Sequence, residues 1–233
     1  MVAVLLYFFQ YVLLSVTLII SLFLTDKLEA PRLINLVINM NIEYEATFPN
    51  IDKTEVRRRL QAAGATLERP EYKQRRVTFN PPLGLVDGKK WLRVRDEGDK
   101  ITMSSKEVDG DKIENQKEIC LTISSFEQAV EFLQNVGCER KAYQESLREL
   151  WRLDGVEITI DTWPYLEPLV EIEGSSEGAV RRVSEKLGFD FSQAFFGSAT
   201  TQYADKYGLS SDYINNEIPS ITFAGPNPFV KPN

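Results

Sequence analysis

The segment VEITIDTWPYLEPLVEIEG, residues 156–174, predicts two short strands that carry acidic side chains on one face. Side chains alternate between the two faces of a strand, so Glu157 and Asp161 point to one side, and so do Glu171 and Glu173. The apolar residues between them are expected to be buried on the opposite face. A group of carboxylates inside a protein is costly unless cations compensate its charge. The segment therefore predicts an enclosed polar space that contains a divalent metal ion or several Arg and Lys side chains.

The composition narrows the chemistry of such a site. The 233 residues include no histidine, which excludes histidine-ligated zinc, a Ser-His-Asp triad and a histidine general base. A metal ion must therefore be held by oxygen atoms, which indicates Mg²⁺ or Mn²⁺. The net charge of −7 argues against a nucleic-acid partner. Cys120 and Cys138 lack metal-ligand spacing, and reduced thiols in a cytoplasmic protein are the simplest interpretation.

Residues 1–25 form an uncharged and mostly apolar segment. At about 1.5 Å per residue, a helix of this length could cross the roughly 30 Å core of a bilayer. The segment has no basic start and no small-residue cleavage site, which argues against a secretory signal. Two interpretations stay open, a transmembrane helix that anchors the protein and a non-native N-terminal extension ahead of a natural start at Met40. In both, residues 26–39 are a linker.

From residue 40 onward, the hydrophobic pattern predicts an α+β fold, an eight-stranded antiparallel β-barrel (tunnel) with flanking helices. The predicted strands are 42–48, 75–80, 91–95, 101–108, 116–123, 143–153, 156–161 and 169–173. The predicted helices are 52–63, 125–137, 176–187 and 198–207. Short connections such as Asp154-Gly155 call for antiparallel hairpins, and eight strands are enough to close a barrel. The polar, Pro-rich residues 209–233 are expected to form a C-terminal tail that lies over the surface or is disordered.

Strand parity also sorts the basic residues. Arg93 and Arg95 point to one face of their strand, and Leu92 and Val94 point to the other. For any single strand, the charged face could simply be a solvated outer surface. If the strands form one barrel, however, the apolar residues pack against helices outside it, and charges of both signs line the interior.

A cavity with charges of both signs has a natural ligand in a chain of phosphates. Phosphate oxygens accept paired hydrogen bonds from the planar guanidinium group. Carboxylates cannot meet phosphates directly, but they can hold Mg²⁺ that bridges the phosphate oxygens. Successive strands of a barrel can supply the several cations that a polyphosphate needs along its length. The residues therefore predict a metal-dependent site for a linear triphosphate.

These segments resemble the CYTH family, the triphosphate tunnel metalloenzymes. NIEYEATF, residues 41–48, resembles the ExExK motif of the family, and LRVR, ITID and VEIE follow in the order of the family. The resemblance covers about residues 40–208 and implies a CYTH-like tunnel of eight antiparallel strands. The family includes class IV adenylyl cyclases, thiamine triphosphatases and inorganic tripolyphosphatases.

The resemblance also implies roles for individual residues, although it assigns no catalytic group. Basic positions that match triphosphate-binding positions are Arg93, Arg95, Lys106, Arg148 and Arg76. Acidic positions that match those associated with divalent metal are Glu43, Glu45, Asp161, Glu171 and Glu173. The implied cofactor is Mg²⁺ or Mn²⁺, and the implied partner is a nucleotide or another triphosphate. A homodimer stays open, and so does membrane anchoring of a cytoplasmic domain through residues 1–25.

One position departs from the family motif, because Thr47 stands where ExExK has its lysine. The resemblance implies that hydrolases of the family use this lysine near the attacking water. The sequence therefore favours a class IV adenylyl cyclase, which converts ATP to cyclic AMP and pyrophosphate with the 3′-hydroxyl of the substrate as nucleophile. Two alternatives stay open. One is a triphosphatase that hydrolyses inorganic tripolyphosphate or an organic triphosphate such as thiamine triphosphate, and the other is a non-catalytic triphosphate-binding module.

Overall fold

One β-sheet, curved into a near-closed barrel, organises the protein. The computed structural model describes residues 40–82 and 89–230. The strands are β1 (Asn41–Ile42), β2 (Tyr44–Phe48), β3 (Thr66–Asn80), β4 (Lys90–Asp96), β5 (Ile101–Val108), β6 (Gln116–Ile123), β7 (Glu139–Leu153), β8 (Val156–Thr162), β9 (Leu169–Gly174) and β10 (Ser220–Ile221). The helices are α1 (Lys53–Ala62), α2 (Phe126–Asn135), α3 (Glu177–Lys186), α4 (Ala199–Tyr207) and α5 (Ser211–Glu217). Single 3₁₀ turns occupy Ile113–Asn115 and Phe191–Gln193.

The barrel closes through its first two strands. The sheet order is β1-β6-β5-β4-β3-β7-β8-β9-β2, with antiparallel pairing throughout, and β10 adds to β7 in parallel. Strands β1 and β2 are separated only by Glu43, and β1 pairs with β6 while β2 pairs with β9. Counted as one interrupted strand, they complete the predicted set of eight. The predicted α+β barrel is therefore confirmed, with β10 as a short parallel addition.

Local turn chemistry sets the β7–β8 hairpin as predicted. Asp154 and Gly155 both have positive φ angles, 53° and 78°, which is the requirement of a two-residue type I′ turn. Strand β3 is longer than the pattern predicts, because its first half contains Pro70 and mostly exposed residues that do not alternate. Two register shifts against β7 accommodate this half of the strand. Pairing with β7, and not local sequence, extends β3.

The helices cover the apolar outer face of the barrel. Val56 and Leu60 of α1 belong to a buried cluster with Ile158 of β8. Phe126 of α2 belongs to a second cluster with Val94 of β4. Burying one such side chain contributes about 1.5–3 kcal/mol, so these two clusters fix which face of each strand points outward. The charged residues between the apolar ones are consequently directed into the barrel.

The chain after Gly208 has more structure than the sequence analysis expects. It forms α5 and β10, and it buries Ile214, Ile221 and Phe229 in a third apolar cluster that also includes Trp163. This packing differs from the expected surface or disordered tail. The segment has no periodic pattern, because its few apolar residues are separated by polar residues and prolines, so their common cluster is visible only in three dimensions.

The predicted membrane segment 1–25 and the linker 26–39 lie outside the described residues. Within residues 40–82 and 89–230, no helix is both long enough and apolar enough to cross a bilayer. The domain boundaries after residues 25, 39 and 208 stay predictions.

Candidate functional site

The barrel contains a cavity of about 730 Å³ that is lined largely by charged and polar side chains. Nine of the ten predicted site residues line it. They are Arg76, Arg93, Arg95, Lys106, Arg148, Glu43, Glu45, Glu171 and Glu173. The tenth, Asp161, does not line the cavity. It is 1% exposed and forms an ion pair with Arg148 from behind the cavity wall. Strand parity therefore brings the predicted residues together, while their roles stay predictions.

Four of the five predicted binding cations are paired with carboxylates. The pairs are Lys106–Glu43 (2.7 Å), Arg93–Glu118 (3.0 Å), Arg95–Glu97 (2.8 Å), and Arg148 with both Asp161 and Glu171. Although burial opposes it, attraction to Lys106 and Arg93 holds the pKa of Glu118 at about 2. The wall of the cavity therefore consists of oriented ion pairs whose cations face a common space.

Arg76 is the exception among these cations. It has no carboxylate partner within residues 40–82 and 89–230, although it is only 5% exposed. Its Nη2 donates to Gln74 Oε1 at 2.8 Å and to Ser146 Oγ, and its guanidinium lies 4.3 Å from the centre of the Trp163 ring. Its Nε is buried without a hydrogen-bond partner. Among the described residues, the hydrogen-bonding and ring contacts of this guanidinium are all with neutral groups.

The electrostatics of Arg76 call for an anion. Burial, together with the positive charges of Arg95, Arg93 and Arg148, holds the pKa of Arg76 well below its usual range, although the negative charge of Asp161 opposes this shift. A buried charge without a counter-ion is costly, so the protein keeps this arrangement at the expense of stability. An anionic ligand in the cavity would remove that cost. Phosphate suits the position because its oxygens accept bidentate hydrogen bonds from guanidinium.

Three carboxylates form a separate acidic trio in the same cavity. One oxygen each from Glu43, Glu45 and Glu173 lies within 4.8 Å of the others. Glu45 and Glu173 are opposite each other in the β2–β9 register, and Glu43 shares the parity of Glu45. Burial raises the pKa of all three, that of Glu43 to about 7. Lys106 compensates only part of the negative charge of these three carboxylates. Their oxygen atoms therefore fit a hard divalent cation such as Mg²⁺ or Mn²⁺, which would displace their protons.

Glu171 and Asp161 lie outside the acidic trio. Glu171 Oε2 is 2.5 Å from Arg148 Nη2, and although burial opposes it, this cation lowers the pKa of Glu171. Asp161 binds the same guanidinium. In this arrangement, both carboxylates orient Arg148. A metal role for Glu171 and Asp161 stays a prediction from the resemblance, whereas the geometry favours Glu43, Glu45 and Glu173.

The metal-free protein should lose stability as the pH rises from about 5 to about 8. Burial raises the pKa of Glu43 to about 7 in the folded state, whereas the ordinary pKa of a glutamate side chain is 4.5. The folded state therefore holds a proton that the unfolded state has released, and this contribution is present below the unfolded pKa and is lost as the pH rises through the folded pKa. The expected loss is on the order of 3 kcal/mol. Thermal unfolding midpoints in EDTA should fall across this range, and Glu43→Gln should flatten the dependence. A flat wild-type profile would contradict the assignment.

The structure adds cavity residues that the sequence analysis missed. Lys141 is the extra residue of a bulge, because Thr78 and Phe79 of β3 pair with Ala142 and Arg140 of β7. A bulge redirects a side chain and leaves no mark in the alternation of a sequence. Trp163 and parts of α4 and α5 also line the cavity, since the C-terminal segment packs against the barrel.

Comparison with known proteins identifies this arrangement. The sequence profile of the CYTH domain matches residues 40–201. The chain belongs to the CYTH family. The match contains all ten predicted site residues, from Glu43 to Glu173. The CYTH family is metal-dependent. No curated protein matches the chain in sequence.

Solved structures share the CYTH fold of this chain. A Vibrio parahaemolyticus protein proposed to be an adenylate cyclase has a TM-score of 0.61 at 11% identity, and the alignment covers 70% of this chain and 97% of that one. The PH1012 protein of Pyrococcus horikoshii OT3 has a TM-score of 0.56 at 21% identity, with 65% and 93% covered. A conserved hypothetical protein of Pyrococcus furiosus has a TM-score of 0.55 at 24% identity, with 65% and 94% covered. At these identities the similarity establishes the fold.

Proposed function

We propose that this CYTH protein is a divalent-metal-dependent enzyme that acts on a triphosphate, with the conversion of ATP to cyclic AMP and pyrophosphate as its reaction. The observation that carries the proposal is that the five predicted binding cations and the acidic trio line the same cavity. The cations match the charge of a triphosphate, and the trio matches the oxygen chemistry of Mg²⁺ or Mn²⁺. Family membership supports an enzyme of this general class.

The arginines would bind and orient the phosphate chain. Arg76 and Arg95 are opposite each other in the β3–β4 register, and Arg93 is two residues away on the same face of β4. Lys106 extends the positive surface to β5. Guanidinium groups held by ion pairs and hydrogen bonds are pre-oriented, so they stabilise charge that develops on phosphate oxygens with little reorganisation.

The acidic trio would hold the metal ion. A divalent cation bound there supplies further neutralisation of charge on the phosphate oxygens. In the cyclase reaction, the 3′-hydroxyl oxygen bonds to the α-phosphorus, and its proton passes to solvent water. The bond from the α-phosphorus to the oxygen bridging to the β-phosphate then breaks, and pyrophosphate departs. The role of Glu43, Glu45 and Glu173 is to hold positive charge beside this chain while the arginines fix its course.

Thr47 favours cyclisation over hydrolysis. It is 2% exposed, shares the parity of Glu45, and lies opposite Glu171 in the β2–β9 register. Backbone hydrogen bonds with Phe195 in both directions hold this position. A threonine hydroxyl has no charge with which to polarise a water molecule as the family lysine would. Cyclisation needs no separately bound water, because the nucleophile belongs to ATP.

One observation favours hydrolysis of a triphosphate as the second candidate. Lys141 lines the cavity although it is not part of the ExExK position, and burial lowers the pKa of its ammonium group while Asp212 opposes this. A partly buried lysine of this kind could take the place of the lysine that Thr47 replaces. The substrate would then be inorganic tripolyphosphate or an organic triphosphate such as thiamine triphosphate.

A parallel product assay separates the candidates. The full chain is incubated with ATP, thiamine triphosphate or tripolyphosphate, each with Mg²⁺ or Mn²⁺, and cyclic AMP, pyrophosphate and orthophosphate are measured. We expect cyclic AMP and pyrophosphate in equal amounts from ATP. Orthophosphate release without cyclic AMP would assign a hydrolase instead. Tight binding of all three without any product would assign a non-catalytic triphosphate-binding module.

Restoring the family lysine should shift the chemistry toward hydrolysis. Thr47→Lys places an ammonium group on the cavity face of β2. We expect orthophosphate release from tripolyphosphate to rise at least about 100-fold, the lower end of the effect of a positioned acid–base group. Thr47→Met is the matched control, since it adds similar length without charge. Equal rates for the two variants would remove Thr47 as the basis for preferring the cyclase reaction.

A further inference from the structure

Beyond the family's charged positions, we propose that Trp163 is a positioning residue for Arg76, and that the C-terminal segment 209–230 holds Trp163 in place. The inference rests on the proposed function only in requiring that the cavity ligand is an anion. Trp163 follows β8 directly, lines the cavity and is 7% exposed. Its ring faces the guanidinium of Arg76 at 4.3 Å.

The contact differs in kind from those of the other cavity cations. Arg93, Arg95, Lys106 and Arg148 are held by carboxylates, which neutralise part of their charge. The face of an aromatic ring attracts a cation through its quadrupole and carries no net charge. Within residues 40–82 and 89–230, Arg76 alone among the five predicted binding cations is held by a ring. Its orientation is therefore fixed while its full charge stays directed to a ligand.

The hydrogen bonds of Arg76 also hold its guanidinium without neutralising its charge. Nη2 donates to the neutral acceptors Gln74 Oε1 and Ser146 Oγ. These side chains are 0% exposed, so their positions are set by the strands that carry them. Together with the ring of Trp163, they hold one edge and one face of the guanidinium plane. A planar group held in this way presents its remaining donors to phosphate in a fixed geometry.

Trp163 is in turn held by the last part of the chain. It packs in a buried cluster with Ile214, Ile221 and Phe229, which lie beyond the CYTH match of residues 40–201. Within this cluster, the Phe229 ring stacks on that of Tyr203 at 4.1 Å between centroids. The Tyr203 hydroxyl donates to the carbonyl oxygen of Pro164, the residue after Trp163, at 2.7 Å. The C-terminal segment therefore fixes the loop that carries the indole ring.

A double-mutant cycle on the full chain tests the proposal. Dissociation constants for tripolyphosphate are measured by calorimetry in EDTA, so that metal-dependent turnover does not occur. With Arg76 present, Trp163→Leu should weaken binding by about tenfold or more, because a desolvated cation–π contact is lost. Trp163→Phe keeps a ring and should lose less than Trp163→Leu. In the Arg76→Gln background, where four cations still bind the ligand, Trp163→Leu should change the constant less than about twofold.

Phe126→Leu provides the matched control. Arg75 lies 4.3 Å from the centre of the Phe126 ring, the same distance as in the Arg76–Trp163 contact, but Phe126 belongs to the apolar cluster under α2. We expect this variant to bind tripolyphosphate as the wild type does. Equal losses from Trp163→Leu in both Arg76 backgrounds, or no loss in either, would overturn the proposal. If Trp163→Leu does not fold, the same cycle with Trp163→Phe decides.

The outcome also separates this inference from the proposed function. One outcome is that the wild type binds tripolyphosphate and Trp163→Leu weakens binding only when Arg76 is present, but the assay with three triphosphates yields no product. This outcome would reject the proposed enzyme and leave the role of Trp163 intact. If the wild type forms product but Trp163→Leu and Arg76→Gln weaken tripolyphosphate binding additively, only the role of Trp163 would be rejected. A wild-type chain that does not bind tripolyphosphate in EDTA would overturn the role of Trp163, while the product assay with added metal decides the proposed function separately.

Discussion

Replacing Arg148 by glutamine should destabilise the protein by about 3–5 kcal/mol, the usual cost of breaking a buried ion pair from one side. The guanidinium binds both Asp161 and Glu171, and the Asp161 side chain is 2% exposed. Even with Arg148 present, burial raises the pKa of Asp161 to about 6. Without the cation, two carboxylates would share a buried site uncompensated. Chemical denaturation near neutral pH should give the loss directly.

Arg152→Gln is the matched control for this prediction. Arg152 lies on the same strand, β7, and also bridges two carboxylates, Glu68 and Glu157, but its side chain is 40% exposed. Exposed ion pairs contribute about 0–1 kcal/mol, so this variant should remain close to wild type. Asp161→Asn should recover part of the loss when it is combined with Arg148→Gln. Equal destabilisation by the two arginine variants would contradict the assigned burial of the Arg148 network.

Replacing Glu173 by glutamine should weaken Mn²⁺ binding and reduce turnover by at least about 100-fold. Removing a metal ligand should reduce metal affinity and activity at least as much as removing a group that only orients such a ligand. The fold should stay intact or become more stable in the absence of metal. Burial, followed by repulsion from Glu157, raises the pKa of Glu173, so the neutral amide relieves an unfavourable charge. Calorimetry with Mn²⁺ and thermal unfolding in EDTA measure the two effects separately.

Two further variants test whether the metal-binding role is specific to the acidic trio. Glu171→Gln should retain more Mn²⁺ binding than Glu173→Gln, because Glu171 contacts Arg148 and lies outside the acidic trio. Glu177→Gln, on the exposed start of α3, should change neither property. If Glu173→Gln unfolds the protein, or if Glu171→Gln loses metal binding to the same extent, the trio is not the metal site that we propose.

The sequence determined the direction of most charged side chains of the predicted site. Alternation is a local property of an extended strand, so Arg93 and Arg95 could be placed opposite Leu92 and Val94 without any knowledge of their neighbours. Apolar residues then had to face helices, and the charges between them had to converge inside a closed sheet. Nine of the ten predicted site residues line one cavity for this reason.

Partners across strands were decided only by the tertiary structure. Glu171 and Glu173 share the same face of β9, so the sequence predicts the same metal-binding role for both. The register of the β-sheet places Glu173 opposite Glu45, whereas Glu171 lies beside Arg148. The contact of Arg76 with Trp163 also has no local signature, since the two residues lie on separate segments. The face to which a side chain points depends on one strand alone. The distance between side chains of different strands depends on register, bulges and long-range packing, which are properties of the assembled barrel.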